Sequence, residues 1–205
     1  MDTTPSAYPL QYDVDYPDSL NRWTTGFRLI LALPLLILLA LLGSTTVGVR
    51  VLLVGGTTVL FLPTVLLLLL RHKYPRWWFD FALALLRFEA RTTAYLFLLR
   101  DEYPSVDEDQ HVHLDVPYPN AESDLNRWLP LVKWLLALPH YLILFFLDLA
   151  AIVAAVIAWF AILFTGRYPE SLFQFVVNVS RWSLRVTAYA FLLTTDRYPP
   201  FQLGP

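Results

Sequence analysis

Long apolar runs broken by polar, proline-rich stretches organise this chain. The runs about Asn21–Leu42 and Val51–Leu70, and again about Asn126–Leu147 and Leu149–Thr165, approach the roughly 20 apolar residues needed to cross a bilayer. Each pair reads as a helical hairpin, with tips at Gly43–Arg50 and at Asp148. Pro34, Pro63 and Pro139 fall inside these helices and are expected to kink them, which membrane helices tolerate. Asn21 and Asn126 stand where N-caps are expected.

Two further segments, about Arg76–Leu99 and Glu170–Leu193, have a different pattern. Gln174, Asn178, Arg181 and Arg185 follow one another at spacings of four, three and four, which places them on one face of a helix. Asp80, Arg87 and Arg91 take the same face in the earlier segment, and the other faces are apolar. A central arginine costs at least roughly 2.5–3.5 kcal/mol in a crossing helix, so these helices are expected to lie in the interface. The stretches Ala7–Ser19 and His111–Asp124 are rich in Asp, Tyr and Pro and read as extended or turned.

The two halves echo each other. Leu20-Asn21-Arg22-Trp23 recurs as Leu125-Asn126-Arg127-Trp128, and Leu31-Ala32-Leu33-Pro34 as Leu136-Ala137-Leu138-Pro139, both at an offset of 105. Arg28 then corresponds to Lys133. Lys73-Tyr74-Pro75 matches Arg167-Tyr168-Pro169, and Thr93-Ala94-Tyr95 matches Thr187-Ala188-Tyr189, at an offset of 94. The first copy therefore carries 11 extra residues, which the loop at Gly43–Arg50 can hold. Ordered matches of this kind imply duplication, with residues 1–104 as one repeat and 105–205 as the other.

The expected fold is thus an all-α integral membrane protein of two tandem repeats. Each repeat has a transmembrane hairpin and an interfacial amphipathic helix, for four crossings in total. All Lys and Arg residues except Arg50 then share one side, which the positive-inside rule makes cytoplasmic together with both termini. Met1–Leu20 holds four aspartates and no basic n-region, so it does not read as a signal peptide.

Composition narrows the function. Hydrophobic residues make up 57% and charged residues 16% of 205, far from the roughly one-quarter charged of soluble domains. Cysteine is absent, which removes disulfides, thiol nucleophiles and cysteine-held metals. A net charge of -2 offers no basic excess for nucleic acid.

Leu125-Asn126-Arg127-Trp128, Ala137-Leu138-Pro139-His140, the run from Trp159 to Pro169 and the run from Arg181 to Tyr189 resemble a bacterial membrane family known only as a domain of unknown function, common in actinobacteria and often in tandem copies. The resemblance covers nearly the whole chain and is strongest in the second copy. In the first, Leu35 replaces the expected histidine, Trp77-Trp78 follow the Tyr-Pro, and the hairpin tip is longer. It implies a membrane topology and carries over no reaction.

Candidate chemistry is sparse. Arg87/Arg91 and Arg181/Arg185 are the best sites for lipid or partner binding, because arginine takes phosphate bidentately and basic residues attract anionic headgroups. They serve equally to hold the helix at the cytoplasmic face. Arg22-Trp23 and Arg127-Trp128 suit the headgroup zone. His111 and His113, among Asp107, Glu108, Asp109 and Asp115, are weak metal candidates against a plain solvated linker. The repeat counterpart of His140 is Leu35, which argues against a bis-histidine haem. Asp148 reads as an ion site or, in preference, a solvated turn. No phosphate loop, Ser/His/Asp set or paired metal carboxylates occur, and no cofactor is expected. The expectation is a non-enzymatic accessory or scaffold protein of the bacterial cell membrane, binding lipids or a larger membrane complex. The alternative is a small transporter or channel formed by the two repeats.

Overall fold

A computed structural model describes residues 8–41, 58–106 and 108–204. The first half contributes β1 (Gln11–Val14), α1 (Arg22–Gly26), α2 (Arg28–Leu41), α3 (Thr58–Arg71) and α4 (Arg76–Leu96). The second contributes β2 (Val112–Asp115), α5 (Ala121–Asp124), α6 (Pro130–Leu136), α7 (Leu138–Thr165) and α8 (Glu170–Thr187), which runs on into a π-helical turn at Ala188–Leu192.

The four expected crossings are overturned. Among the described residues only α7 is long and apolar enough to cross a membrane, and α2 and α3 are shorter apolar helices. The first expected tip, Gly43–Arg50, lies outside the described residues. The second is absent, because α7 runs unbroken through Asp148, which is half-buried within it. One aspartate lowers helix propensity by about 0.7 kcal/mol at most, too little to break 28 residues rich in Leu, Ile and Ala. The chain breaks earlier instead. Pro139 stands in the first turn of α7, where its missing N–H costs nothing, and α6 precedes it as a separate short helix. Gly166 ends α7 in the left-handed region at φ 74°. Pro34 and Pro63 do lie inside helices.

The extended stretches form a two-stranded antiparallel ribbon, β1 with β2, pairing Gln11 with Asp115 and Val14 with Val112. Strand alternation buries Tyr12, Val14, Val112 and Leu114 and leaves the intervening residues outward. An all-α reading missed it. Asn120 caps α5 by accepting the Glu122 N–H.

The two helices expected at the membrane interface are packed inside the protein. Phe173, Val176, Val177, Val179, Leu184 and Val186 of α8 are buried, as are Phe79, Leu83, Leu86, Ala90 and Ala94 of α4. All of these except Val186, which packs with Trp182 and Tyr189, join Ala151, Ala154, Ala158 and Ile162 of α7 and the inward ribbon residues in one core. The outer face of α7 is uncovered: Leu142, Phe146, Leu149, Val153, Val156, Phe160 and Phe164 are exposed, as are Leu29, Ile30, Leu33 and Ile37 of α2. On a helical wheel the exposed positions of α7 form one broad arc opposite the stripe through His140, Leu144, Ala151, Ala158 and Ile162.

Candidate functional site

The polar residues of α4 and α8 meet the ribbon. On α8, Arg181 donates from Nε to the Tyr12 carbonyl at 2.7 Å, from Nη1 to Asn178 Oδ1 at 2.5 Å and from Nη2 to Asp13 Oδ1 at 3.2 Å. On α4, Arg87 donates from Nε to the Leu114 carbonyl at 3.0 Å and from Nη2 to Asp115 Oδ1 at 3.3 Å. The strand from the first half is thus held by the second half's helix, and the strand from the second half by the first half's helix. Both arginines satisfy a backbone carbonyl on the ribbon that would otherwise lose its water partner.

The second arginine of each pair differs between the halves. Arg91 gives Nη1 to the Ser105 carbonyl at 2.6 Å, beneath a turn in which Gln110 Nε2 donates to the Tyr103 carbonyl. Arg185 is 4% exposed, packs against the Tyr8 ring at 5.8 Å, and lines a pocket of about 450 Å³ with Gln11, Asp13, His113, Asp115 and Arg181. Burial, and then the like charge of Arg181, pull its pKa below the ordinary guanidinium value.

The remaining sequence candidates lie elsewhere. Trp23 and Trp128 are exposed, beside the equally exposed Arg22 and Arg127. Arg127 Nε donates to the Leu69 carbonyl at 2.6 Å, closing the C-terminal turn of α3. The side chain of Arg22 lies close over Gly166. Asn21 and Asn126 each accept an N–H, from Trp23 and from Trp128, at 2.9 Å. His111 Nδ1 meets Glu102, whereas His113 Nε2 meets Asp15 at 3.2 Å, so the two histidines turn to different carboxylates. Among the described residues no three His, Cys, Asp or Glu side chains gather as a metal site. His140 is buried, accepts the Trp182 indole N–H at 3.1 Å and stacks on Phe201.

Sequence reading missed two ion pairs, each with a buried cation. Lys133 Nζ lies 2.7 Å from Asp196 Oδ1, donates to the Thr195 carbonyl at 2.7 Å and sits over the Tyr189 ring. Arg28 repeats the arrangement with Asp101, the Arg100 carbonyl and the Tyr95 ring. Each carboxylate also accepts a backbone N–H at 2.6 Å, Asp101 from Asn21 and Asp196 from Asn126. The signal was present: both aspartates stand two residues before a Tyr-Pro, in Asp101-Glu102-Tyr103-Pro104 and Asp196-Arg197-Tyr198-Pro199.

Residues 128–202 match the family model described as a domain of unknown function, DUF4389. No curated protein and no solved structure matches the chain.

Proposed function

We propose that this protein is a non-enzymatic accessory module seated in one leaflet of a membrane, its apolar helices among the acyl chains and its ribbon in water, where it binds lipid or a larger membrane complex. On this reading the two halves are copies of one unit, each lending its strand to the other.

One observation carries the proposal: the ribbon packs across the middle of α8, the helix that folds back beside the apolar α7. α7 and α8 are antiparallel neighbours joined at Gly166, and β1 runs along the middle of α8 through Arg181. α7 is roughly 42 Å long at 1.5 Å per residue, enough for a hydrocarbon core of about 30 Å. Standing upright, it would carry the ribbon to bilayer depth. Asp13 and Asp115 have side chains 70% and 88% exposed, and Asp15 is also exposed. Three aspartates there cost about 10 kcal/mol on insertion scales, comparable to the whole stability of a domain. Lying flat, α7 buries its exposed arc in acyl chains and leaves the ribbon wet. Exposed Trp23, Trp77 and Trp128 suit the headgroup zone around such a face.

Spin labels at Leu142, Phe146, Val153 and Phe160, measured for immersion depth by paramagnetic quenching in vesicles, separate the two seatings. The flat seating gives similar depths at all four and a water-exposed label at His113. A profile that is deepest near Val153 and shallow at the ends of α7 would refute it.

A further inference from the structure

We propose that the pocket between the ribbon and α8 binds a singly charged oxyanion of the phosphodiester class, with Arg185 as its cation. Nε and Nη1 of Arg185 are buried without a hydrogen-bond partner among the described residues. A buried guanidinium so placed is costly unless something accepts from it. The other basic side chains around the pocket are already engaged: Arg181 with Asp13 and the Tyr12 carbonyl, Arg87 with Asp115, and His113 with Asp15. Arg91, the counterpart of Arg185 on α4, shares the unpartnered Nε but gives its Nη1 to the Ser105 carbonyl. The chain therefore supplies the oxygen at one of the two positions, and the other opens on a pocket.

Charge sets the class. Asp13 offsets Arg181 and Asp115 offsets Arg87, so among the described residues the charge left uncompensated at the pocket is that of Arg185. A dianion would face the two aspartates with only one spare cation. A phosphodiester keeps one charge at neutral pH, matches guanidinium geometry, and is small enough in its head portion for about 450 Å³. Gln11, exposed on β1, adds an amide at the rim. The site lies on the ribbon and is independent of how α7 is seated.

The test is calorimetric titration of the full chain in micelles with dimethyl phosphate, and of the chain in nanodiscs containing phosphatidylglycerol against phosphatidylcholine alone. Saturable binding of dimethyl phosphate, weakened at least tenfold by Arg185→Gln and unchanged by Arg91→Gln, supports a site that takes the free anion. The same pattern with phosphatidylglycerol only supports the site with a lipid headgroup as its source. Equal binding of acetate or sulfate, no binding of either probe, or indifference to Arg185→Gln would overturn it. If Arg185→Gln does not fold, Gln11→Glu at the exposed rim should weaken binding by a similar factor, and unchanged binding there overturns the proposal too.

Discussion

Removing Asp196 should harm the protein more than removing Lys133, although the two form one ion pair. Lys133 is 0% exposed, while the Asp196 side chain is 24% exposed. Burial pulls the ammonium pKa down and the neighbouring carboxylate partly restores it. In Asp196→Ala the ammonium keeps only the Thr195 carbonyl and the Tyr189 ring, in a place water does not reach. Stranding a buried charge in this way costs about 3–5 kcal/mol, and the Asn126 N–H loses its acceptor as well. Lys133→Met keeps the buried methylenes, and the surviving carboxylate still accepts from Asn126 and touches water. That loss is about 1–2 kcal/mol. At roughly 2–4 °C per kcal/mol for a chain of this size, Asp196→Ala should lower the midpoint of thermal unfolding by about 6–20 °C and Lys133→Met by about 2–8 °C. The double variant should recover part of the Asp196→Ala loss, because no stranded ammonium remains. Tryptophan fluorescence during thermal unfolding in one detergent reads all three. Asp101→Ala provides an internal replicate at Arg28, which is 2% exposed. If Asp196→Ala proves no more damaging than Lys133→Met, the buried ammonium is not the governing cost and the reasoning fails.

The two ribbon arginines should be unequal. Arg181→Ala, with a side chain 10% exposed, should cost about 3 kcal/mol, and Arg87→Ala, 42% exposed, about 1 kcal/mol, as read from unfolding midpoints. Acid should loosen the linker at Glu102. Burial raises this carboxyl, but hydrogen bonds from Arg100 and the His111 N–H outweigh it and hold its pKa below the ordinary 4.5. A depressed carboxyl contributes stability that is full above its unfolded value and is lost as pH falls through the folded one. Unfolding midpoints should therefore drop on acidification below 4.5, and less so in Glu102→Gln; parallel pH profiles for the two proteins would count against the assignment.

Local features of the fold were legible in the sequence. The helix starts at Arg76 and Glu170 follow Tyr-Pro, and the four-three-four spacing does place Asn178, Arg181 and Arg185 on one face. What that face meets was not legible. A four-residue strand carries little signal, and the partner of β1 lies about a hundred residues away. Arginines on an otherwise apolar helix then read as lipid-facing, when their hydrogen bonds go to carbonyls at Tyr12 and Leu114. The continuity of α7 was misread for a related reason. A charge in an apolar run is a strong hint of a turn when the run is assumed to cross lipid, and a weak one when the helix lies beside protein.

The crossed strands limit what half of this chain can do alone. A polypeptide holding only residues 105–205 would possess β2 but neither the α4 arginine that holds it nor the β1 carbonyl that Arg181 requires. Two such polypeptides could repair both faults at once, each inserting its strand against the other's helix. If the halves are two copies of one unit, as proposed, a single-unit protein of this design is expected to be an obligate exchanged dimer, and joining two units end to end turns a concentration-dependent partnership into a permanent one.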